Sequence, residues 1–341
     1  MRLMEEIAEN RLLSRWTALL PRSPNQLGAV HESDAEMIPL AGGPTLALTV
    51  DTVAEEIRLG LYREPFTAGR TAAVAALSDL AAIGADPVGL LLAVTLPREK
   101  RSWFQEEVSR GISEVCEKAK TCVLGGDTSE GEILSITCVA AGVLPRESVR
   151  LRTGMRPGDL LFGSAAFGLG SALAAARWSL SPGLFDEVDY RPEARLSEGR
   201  ALRGIASGCI DTSDGLIAAL DQLARLNGVA VRIERTLQEL LDPRAETVRS
   251  RLGYTPLAFL AGQHGEFELV FSVPPDRIGE LCRVSRSMGW SPVFIGRVEP
   301  GSGLFAGDCV LDGARLRNLW EEAGGEVEAY VRALCHVGVS S

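Results

Sequence analysis

The stretch TCVLGGDT, residues 121–128, places a short apolar run directly before two glycines and an aspartate. The apolar residues predict a strand, and the Gly-Gly-Asp sequence predicts a turn that presents Asp127 just after it. A second run rich in β-branched residues, 45–50, ends in the same way at Asp51. We therefore predict two aspartates at the ends of two strands.

Alternating strands and helices surround these two segments and predict an α/β fold with mixed α+β character. Gly84 and Gly228 each follow a run with helical composition, at the position where a glycine commonly ends a helix. Helices are predicted at residues 67–83, 101–120 and 216–226, and strands at 88–96, 134–143, 160–162, 229–233, 266–273 and 292–298.

The length of 341 residues allows two domains or one large α/β unit. The Arg-Pro-Gly-Asp sequence at 156–159 predicts a turn, after which the pattern of strand, glycine turn and alanine-rich helix begins again. We therefore predict a boundary near residue 148. The predicted units are an N-terminal amphipathic helix within 1–26, an N-terminal domain at 27–148, a C-terminal domain at 149–325 and a tail at 326–341.

Charge and hydropathy exclude several classes of protein. Thirty-five Lys and Arg against forty-five Asp and Glu give a net charge of −10, without a basic block that would neutralise nucleic-acid phosphates. The longest apolar region, 71–97, is interrupted by charged residues, glycine and proline, so no membrane span is expected. The seven cysteines stand singly, without a C-x-x-C pair, which is typical of a reducing compartment. We expect a cytoplasmic protein.

Several well-known motifs are absent from the chain: the P-loop, the H-E-x-x-H zinc motif and the G-x-S-x-G elbow. Residues 168–173, GLGSAL, begin like a dinucleotide fingerprint, but Leu173 stands at its third glycine position. The three histidines lack metal-ligand spacing, and we assign them no catalytic role.

A set of aspartates in unusual settings remains. Asp79 lies inside the apolar, helix-forming run ALSDLAA, where a buried unpaired carboxylate would be costly and a bound cation would remove that cost. Magnesium takes oxygen ligands and often only one or two carboxylates, so dispersed aspartates can hold several ions along one triphosphate. The alternative is structural, because aspartate is common in turns and caps: Asp214 or Ser213 could simply cap the helix that begins near Leu216.

Five segments together resemble the thiamine-monophosphate kinase family in order and spacing: LALTVDT (46–52), LSDLAAIGA (77–85), GGDT (125–128), DTSDGL (211–216) and EFEL (266–269). The resemblance extends from about residue 28 to residue 300. It implies the two-domain fold shared with aminoimidazole ribonucleotide synthetase, selenophosphate synthetase and a hydrogenase maturation protein. It also implies a homodimer in which the N-terminal domains build a shared β-barrel.

The same resemblance implies ATP as substrate, magnesium as cofactor and a set of site residues. The implied magnesium ligands are Asp34, Asp51, Asp79, Asp127, Asp211 and Asp214. The implied ATP contacts are Gly126, Asp127, Arg152 and Ser213. The implied acceptor contacts are Arg58, Glu266 and Trp320.

Departures from the family pattern fall mostly on the acceptor side. Arg58 stands where the family has a histidine, and Gly265 stands where it has an acceptor-binding glutamate. The family's Gly-Asp-Asp is Glu32-Ser33-Asp34 here, which predicts weaker or fewer metal contacts at that point. The leading hypothesis is transfer of the γ-phosphoryl group of ATP to thiamine monophosphate, giving thiamine diphosphate. The alternatives are an ATP-dependent enzyme of the same superfamily with another acceptor and a nucleotide-binding protein without kinase activity.

Overall fold

The computed structural model describes residues 4–179, 181 and 183–337. The first half contains a five-stranded sheet in the order β1-β2-β5-β3-β4, in which β3 and β4 are parallel and the other neighbours are antiparallel. Its strands are β1 (Glu36–Pro39), β2 (Thr45–Val53), β3 (Asp86–Pro97), β4 (Val123–Gly131) and β5 (Ser135–Leu144). The helices of this half are α1 (Ala8–Leu19), α2 (Glu55–Arg58), α3 (Pro65–Ile83) and α4 (Arg101–Ala119).

Helix α3 is the central element, because all of it except Phe66 and Asp79 is buried. Its many alanines allow other elements to pack closely around it. A Cβ atom added to Gly69 would lie 2.4 Å from the backbone oxygen of Val108, so this crossing with α4 requires glycine. The helix ends at Gly84 in the left-handed conformation, with φ of 75°. The predicted helix and its glycine cap are therefore confirmed.

The Gly-Gly-Asp segment is a strand, and the predicted turn there is wrong. Strand β4 continues through Gly125, Gly126 and Asp127, parallel to β3. A Cβ atom at Gly126 would lie 2.1 Å from the backbone oxygen of Leu92. The glycine therefore serves close approach between two strands and does not reverse the chain.

The second half contains a seven-stranded sheet in the order β12-β11-β8-β10-β6-β9-β7, with β8 and β11 parallel. Its strands are β6 (Leu160–Gly163), β7 (Gly208–Asp211), β8 (Ala230–Ile233), β9 (Leu269–Val273), β10 (Val293–Glu299), β11 (Gly303–Ala306) and β12 (Cys309–Leu311). Its helices are α5 (Leu169–Trp178), α6 (Leu196–Ala201), α7 (Leu216–Asn227), α8 (Pro243–Leu252), α9 (Pro256–Ala261), α10 (Ile278–Met288), α11 (Gly313–Glu322) and α12 (Val327–Cys335).

Arg150 joins the two halves where α3 ends. Its buried guanidinium donates to the backbone oxygens of Ala81, Ala82 and Gly199, at distances between 2.7 and 3.2 Å. Ala81 and Ala82 lie in the last turn of α3, where backbone oxygens have no partner from a following turn. The oxygen of Ala81 also accepts from the amide of Gly84 at 2.9 Å. A Cβ atom at Gly199 would lie 2.0 Å from the backbone oxygen of Ala81, so α6 meets α3 backbone to backbone.

The N-terminal helix α1 packs on the second half. The amide of Ala8 donates to Oδ1 of Asn318 at 2.9 Å, and Nδ2 of Asn10 donates to Oε1 of Gln222 at 3.3 Å. At the other end of the chain, α12 buries Tyr330 and Leu334. Among the described residues, no helix is long and apolar enough to cross a membrane.

Candidate nucleotide and metal site

A cavity of about 770 Å³ lies between the two halves, and we call it the large cavity. Its size falls within the range of small-molecule sites in proteins. Its walls come from α1, the loop before β1, the start of β1, β2, β5, α3, β7, α7 and α11. The lining residues are Glu9, Asn10, Leu13, His31, Asp34, Glu36, Leu48, Thr49, Val50, Asp51, Asp79, Val139, Arg152, Ile210, Asp211, Ser213, Asp214, Gly215, Ala218, Ala219, Gln222 and Arg317.

Three carboxylates converge inside the large cavity. Asp34 lies in the loop before β1, Asp79 lies in α3, and Asp211 is the last residue of β7. One oxygen atom from each side chain lies within 4.8 Å of the other two. The three ligating atoms come from both halves of the chain, which places a candidate cation site at their junction.

Hydrogen bonds fix two of these carboxylates in place. Arg152 donates two hydrogen bonds to Asp34, from Nε to Oδ2 at 3.2 Å and from Nη2 to Oδ1 at 3.0 Å. The hydroxyl of Thr49 donates to Oδ2 of Asp79. Arg152 lines the large cavity, which is the position that its predicted contact with ATP requires. Its guanidinium also forms an ion pair with Asp34.

The electrostatics of the cluster favour a bound cation. Burial, reinforced by nearby carboxylates, raises the pKa of Asp51 to about 6 and that of Asp211 to about 7. Burial and the charge of Asp51 raise the pKa of Asp79 well above its ordinary value. In the described part of the chain, Oδ2 of Asp51 and Oδ2 of Asp211 are buried without a hydrogen-bond partner. Magnesium would supply the missing partner to such oxygens, so this donor set fits the ion.

The N-terminal end of α7 borders the same cluster. Gly215 precedes the helix with φ of 85°, and a Cβ atom there would lie 2.5 Å from the backbone oxygen of Gly262. Neither Ser213 nor Asp214 makes a side-chain cap to α7, so the alternative interpretation of the two as caps is wrong. The hydroxyl of Ser213 donates to Oδ1 of Asp211 at 3.2 Å, and Asp214 lines the large cavity. Unpaired amides at a helix start favour phosphate oxygens.

Gly126 and Asp127 lie apart from this cluster. Asp127 is paired with Ala93 on β3, and two strands, β3 and β5, separate its strand from β2 and Asp51. With neighbouring strands about 4.8 Å apart, the separation across the sheet is roughly 14 Å. Within one chain, neither Gly126 nor Asp127 lines the large cavity, and their ATP and metal contacts stay predictions.

A smaller cavity of about 150 Å³ adjoins the large one, and Asp214 lines both. Aromatic rings form one side of it, with Trp178 and His264 5.0 Å apart and Trp320 and Tyr330 5.3 Å apart between ring centroids. The lining residues are Glu55, Glu56, Leu59, Leu61, Trp178, Asp214, Gln263, His264, Trp320 and Tyr330. The predicted acceptor residue Trp320 is thus beside a second cavity that meets the first.

The structure contradicts the expectation that Glu266 faces the acceptor. Its buried carboxylate accepts from the backbone amides of Leu169 and Gly170, at 3.0 and 3.3 Å, and so caps α5. Phe267 has φ of 59°, which interrupts the extended backbone, and β9 therefore begins at Leu269, later than predicted. Glu266 lines neither cavity, and its carboxylate stabilises the N-terminal end of α5 instead.

Arg58 also lies outside both cavities. Its side chain is exposed and pairs with Glu55 at 3.1 Å, so its predicted contact with the acceptor stays a prediction. Sequence reasoning missed Glu56, His264 and Tyr330, which line the smaller cavity. The two consecutive glutamates at 55 and 56, shortly after Asp51, were a usable signal in the sequence. His264 and Tyr330 gave no such signal, because they reach the smaller cavity through contacts between segments that are distant in sequence.

Two α/β halves with an aspartate-rich cavity at their junction define a two-domain α/β protein with a small-molecule site. The AIR synthase related protein N-terminal domain matches residues 32–144, and the corresponding C-terminal domain matches residues 156–308. The chain belongs to the thiamine-monophosphate kinase family. The predicted two-domain aminoimidazole ribonucleotide synthetase-like fold is therefore confirmed.

Two curated relatives and one solved structure illustrate the similarity. The thiamine-monophosphate kinase of Escherichia coli strain K12 is 31% identical over 255 residues, covering 73% of this chain and 77% of the relative. The enzyme of Pyrococcus abyssi is 28% identical over 289 residues, covering 83% and 87%. The structure of AaThiL complexed with AMPPCP and TMP matches with a TM-score of 0.75 at 24% identity, covering 92% of this chain and 97% of that one.

Proposed function

We propose that this protein is a magnesium- and ATP-dependent phosphotransferase that converts thiamine monophosphate to thiamine diphosphate. The observation that carries the proposal is the junction of two cavities at Asp214. The large cavity has the carboxylates and helix start that suit a metal-bound triphosphate. The smaller one suits a cationic heterocycle. A phosphoryl group bound near Asp214 would lie between donor and acceptor.

On the nucleotide side, the role of the chain's own residues is to position the metal ion and the phosphate groups of ATP. Asp34, Asp79 and Asp211 would hold magnesium, with Asp51 beside them. When bound, the ion would neutralise the charge on the phosphate oxygens during transfer. Arg152 keeps Asp34 oriented. Phosphoryl transfer needs in-line alignment and charge stabilisation, and it requires no catalytic histidine.

On the acceptor side, the ring of aromatic residues favours a flat cation such as the thiazolium of thiamine. Burial lowers the pKa of His264 to about 4, so this ring is neutral near pH 7 and does not repel a cation. Oε2 of Glu56 is buried without a hydrogen-bond partner among the described residues. A Cβ atom at Gly265 would lie 2.9 Å from the ring of Phe267, so that position has little room for a side chain. Because Glu56 also lines the smaller cavity, it would supply the acidic group that Gly265 does not offer.

The proposed assembly is a cytoplasmic homodimer in which two N-terminal sheets form a shared barrel. Helices α3 and α4 cover one face of the five-stranded sheet. On the opposite face, Val50, Val139 and Leu91 lie side by side on three neighbouring strands. Val50 is 61% exposed and Leu91 is 45% exposed. An apolar face of this kind and the uncovered edge of β4 both favour pairing with a second copy.

The proposed reaction is tested by incubating the protein with magnesium, ATP and thiamine monophosphate and quantifying thiamine diphosphate by chromatography. We expect one thiamine diphosphate for each ADP, and no product without magnesium. ADP release without thiamine diphosphate would reject this acceptor. It would favour the second candidate, a superfamily enzyme with another acceptor, to which the Gly265 and Arg58 positions point. Screening metabolite mixtures for ATP-dependent mass shifts would then identify that acceptor.

A further inference from the structure

One face of α7 forms a wall of the large cavity away from the aspartates. Gly215, Ala218, Ala219 and Gln222 recur at helical spacing, and all four line the cavity. Seven residues of helix span roughly 10 Å, so Gln222 lies about two turns from the helix start and the carboxylates. The three small residues leave an open strip between these ends. If the phosphates bind at the helix start, as the proposed function requires, the base of the nucleotide lies toward Gln222.

Two buried amide side chains meet at this far end. Asn10 of α1 and Gln222 of α7 are 3% and 4% exposed, and both line the cavity. Nδ2 of Asn10 donates to Oε1 of Gln222 at 3.3 Å, and Nη1 of Arg317 donates to the same oxygen at 2.6 Å. No other hydrogen bond of either amide group occurs among the described residues.

Arg317 determines which way both amides point. A guanidinium can only donate hydrogen bonds, so the atom of Gln222 that faces Arg317 is the oxygen. The shared oxygen in turn requires the NH₂ group of Asn10 on its other side. The groups left over are Nε2 of Gln222, a donor, and Oδ1 of Asn10, an acceptor. Neither has a protein partner in the part of the chain that the structure describes.

We propose that Gln222 and Asn10 select adenine, with Nε2 of Gln222 donating to N1 of the base and Oδ1 of Asn10 accepting from its 6-amino group. This inference rests on the proposed use of ATP. The Watson–Crick edge of guanine or hypoxanthine carries the reverse pattern, an acceptor at O6 and a donor at N1. Accommodating it would require Gln222 to turn its NH₂ group toward Arg317, leaving donor facing donor. Sites built around buried polar groups reject ligands that leave those groups unpaired.

The test uses equilibrium binding and therefore does not depend on the acceptor. Competition against a fluorescent adenine nucleotide, with magnesium present, compares ATP, ITP and GTP on the unmodified protein. ITP differs from GTP only in lacking the 2-amino group, so it isolates the reversed edge. We expect ITP and GTP to bind at least about 100-fold more weakly than ATP, because two hydrogen bonds become mismatched. Equal binding of ATP and ITP would overturn the proposal.

Two variants examine the residues themselves. Gln222→Glu keeps an oxygen for Arg317 and replaces the donor with an acceptor, so the ratio of ATP to ITP affinity should fall at least about tenfold. Asn10→Ala should lower the same ratio. Asn318→Ala is the matched control, because it removes the hydrogen bond to Ala8 that holds α1 without touching the amide pair. A purely structural role of Asn10 would weaken ATP and ITP equally in Asn10→Ala and in the control, and that outcome would refute base selection.

The two hypotheses fail in different ways. Adenine preference without thiamine diphosphate formation would reject the acceptor and leave base selection intact. Thiamine diphosphate formation with equal use of ATP and ITP would reject base selection alone. Absence of any nucleotide binding by the unmodified protein would reject both.

Discussion

Replacing Asp211 with asparagine should stabilise the metal-free protein while destroying its function. Asp211 is buried beside Asp34, and one of its oxygens has no hydrogen-bond partner in the described chain. Burial and the charge of Asp34 raise the pKa of Asp211 to about 7, from an ordinary value of 3.8. An amide of the same shape removes the charge that causes the repulsion.

The size of the effect follows from linkage between protonation and folding. Between about pH 4 and pH 7 the folded protein keeps the Asp211 proton and the unfolded chain loses it. Stability therefore falls as the pH rises through this window and is constant above it. A folded-state pKa of about 7 in place of 3.8 corresponds to a ceiling of about 4 kcal/mol at pH 7.5. The asparagine variant would not incur this cost, so the difference between variant and wild type should be near zero at pH 4 and largest above pH 7.

The assay is urea unfolding of wild type and Asp211→Asn, with a chelator present, at a series of pH values. Asp276→Asn is the control, because Asp276 is exposed and lies outside both cavities. Added magnesium should then raise the free energy of unfolding of the wild type and have less effect on Asp211→Asn. A variant less stable than the wild type at pH 7.5 without metal, or a difference independent of pH, would refute the reasoning about carboxylate repulsion.

Three further substitutions examine other parts of the molecule. Asp127→Asn, in an exposed strand, tests the ATP and metal contacts that the family resemblance implies for Asp127: such contacts predict loss of magnesium-dependent ADP release with little change in urea unfolding, and unchanged turnover would reject them. Trp320→Ala should raise the KM for thiamine monophosphate about tenfold or more, because the indole ring would no longer cover the acceptor. The KM for ATP should not change. An equal rise in both KM values would contradict binding of the two substrates in separate cavities. Arg150→Met should lower the free energy of unfolding by about 3 kcal/mol, because the buried backbone oxygens of Ala82 and Gly199 lose their donor. Urea unfolding measures this change. A change below about 0.5 kcal/mol would show that Arg150 does not hold the two halves together.

Sequence reasoning succeeded where local chemistry determines structure. Helix α3 and its end at Gly84 follow from composition and from the left-handed conformation that glycine adopts readily. The Gly-Gly-Asp segment shows the limit of such reasoning. Glycine serves turns and close strand contacts equally well, and only the neighbouring strand β3 decides between the two at Gly126. That information lies some thirty residues away in the chain.

The candidate site was predictable in its ingredients but not in its assembly. Asp79 could be identified from the sequence alone, because a carboxylate inside an apolar helix is costly to bury without a partner. Its neighbours Asp34 and Asp211 are distant in sequence, and only folding shows that their oxygens meet. The same limit hid Asn10, which lies in an otherwise ordinary amphipathic helix. Its partner Gln222 is more than two hundred residues away.

The departures from the family pattern at Arg58 and Gly265 have a physical explanation in the elements around the smaller cavity. Two of the three carboxylates of the cation cluster lie on α3 and β7, which are packed into the core, so a change of position there would disturb both halves. The smaller cavity is built instead from the short helix α2, the loop at Gln263 and His264, and helices near the C-terminal end. Such elements can change side chains without moving the sheets. Under the proposed function, the carboxyl group of Glu56, which lines the smaller cavity, would face the acceptor in place of a side chain at position 265.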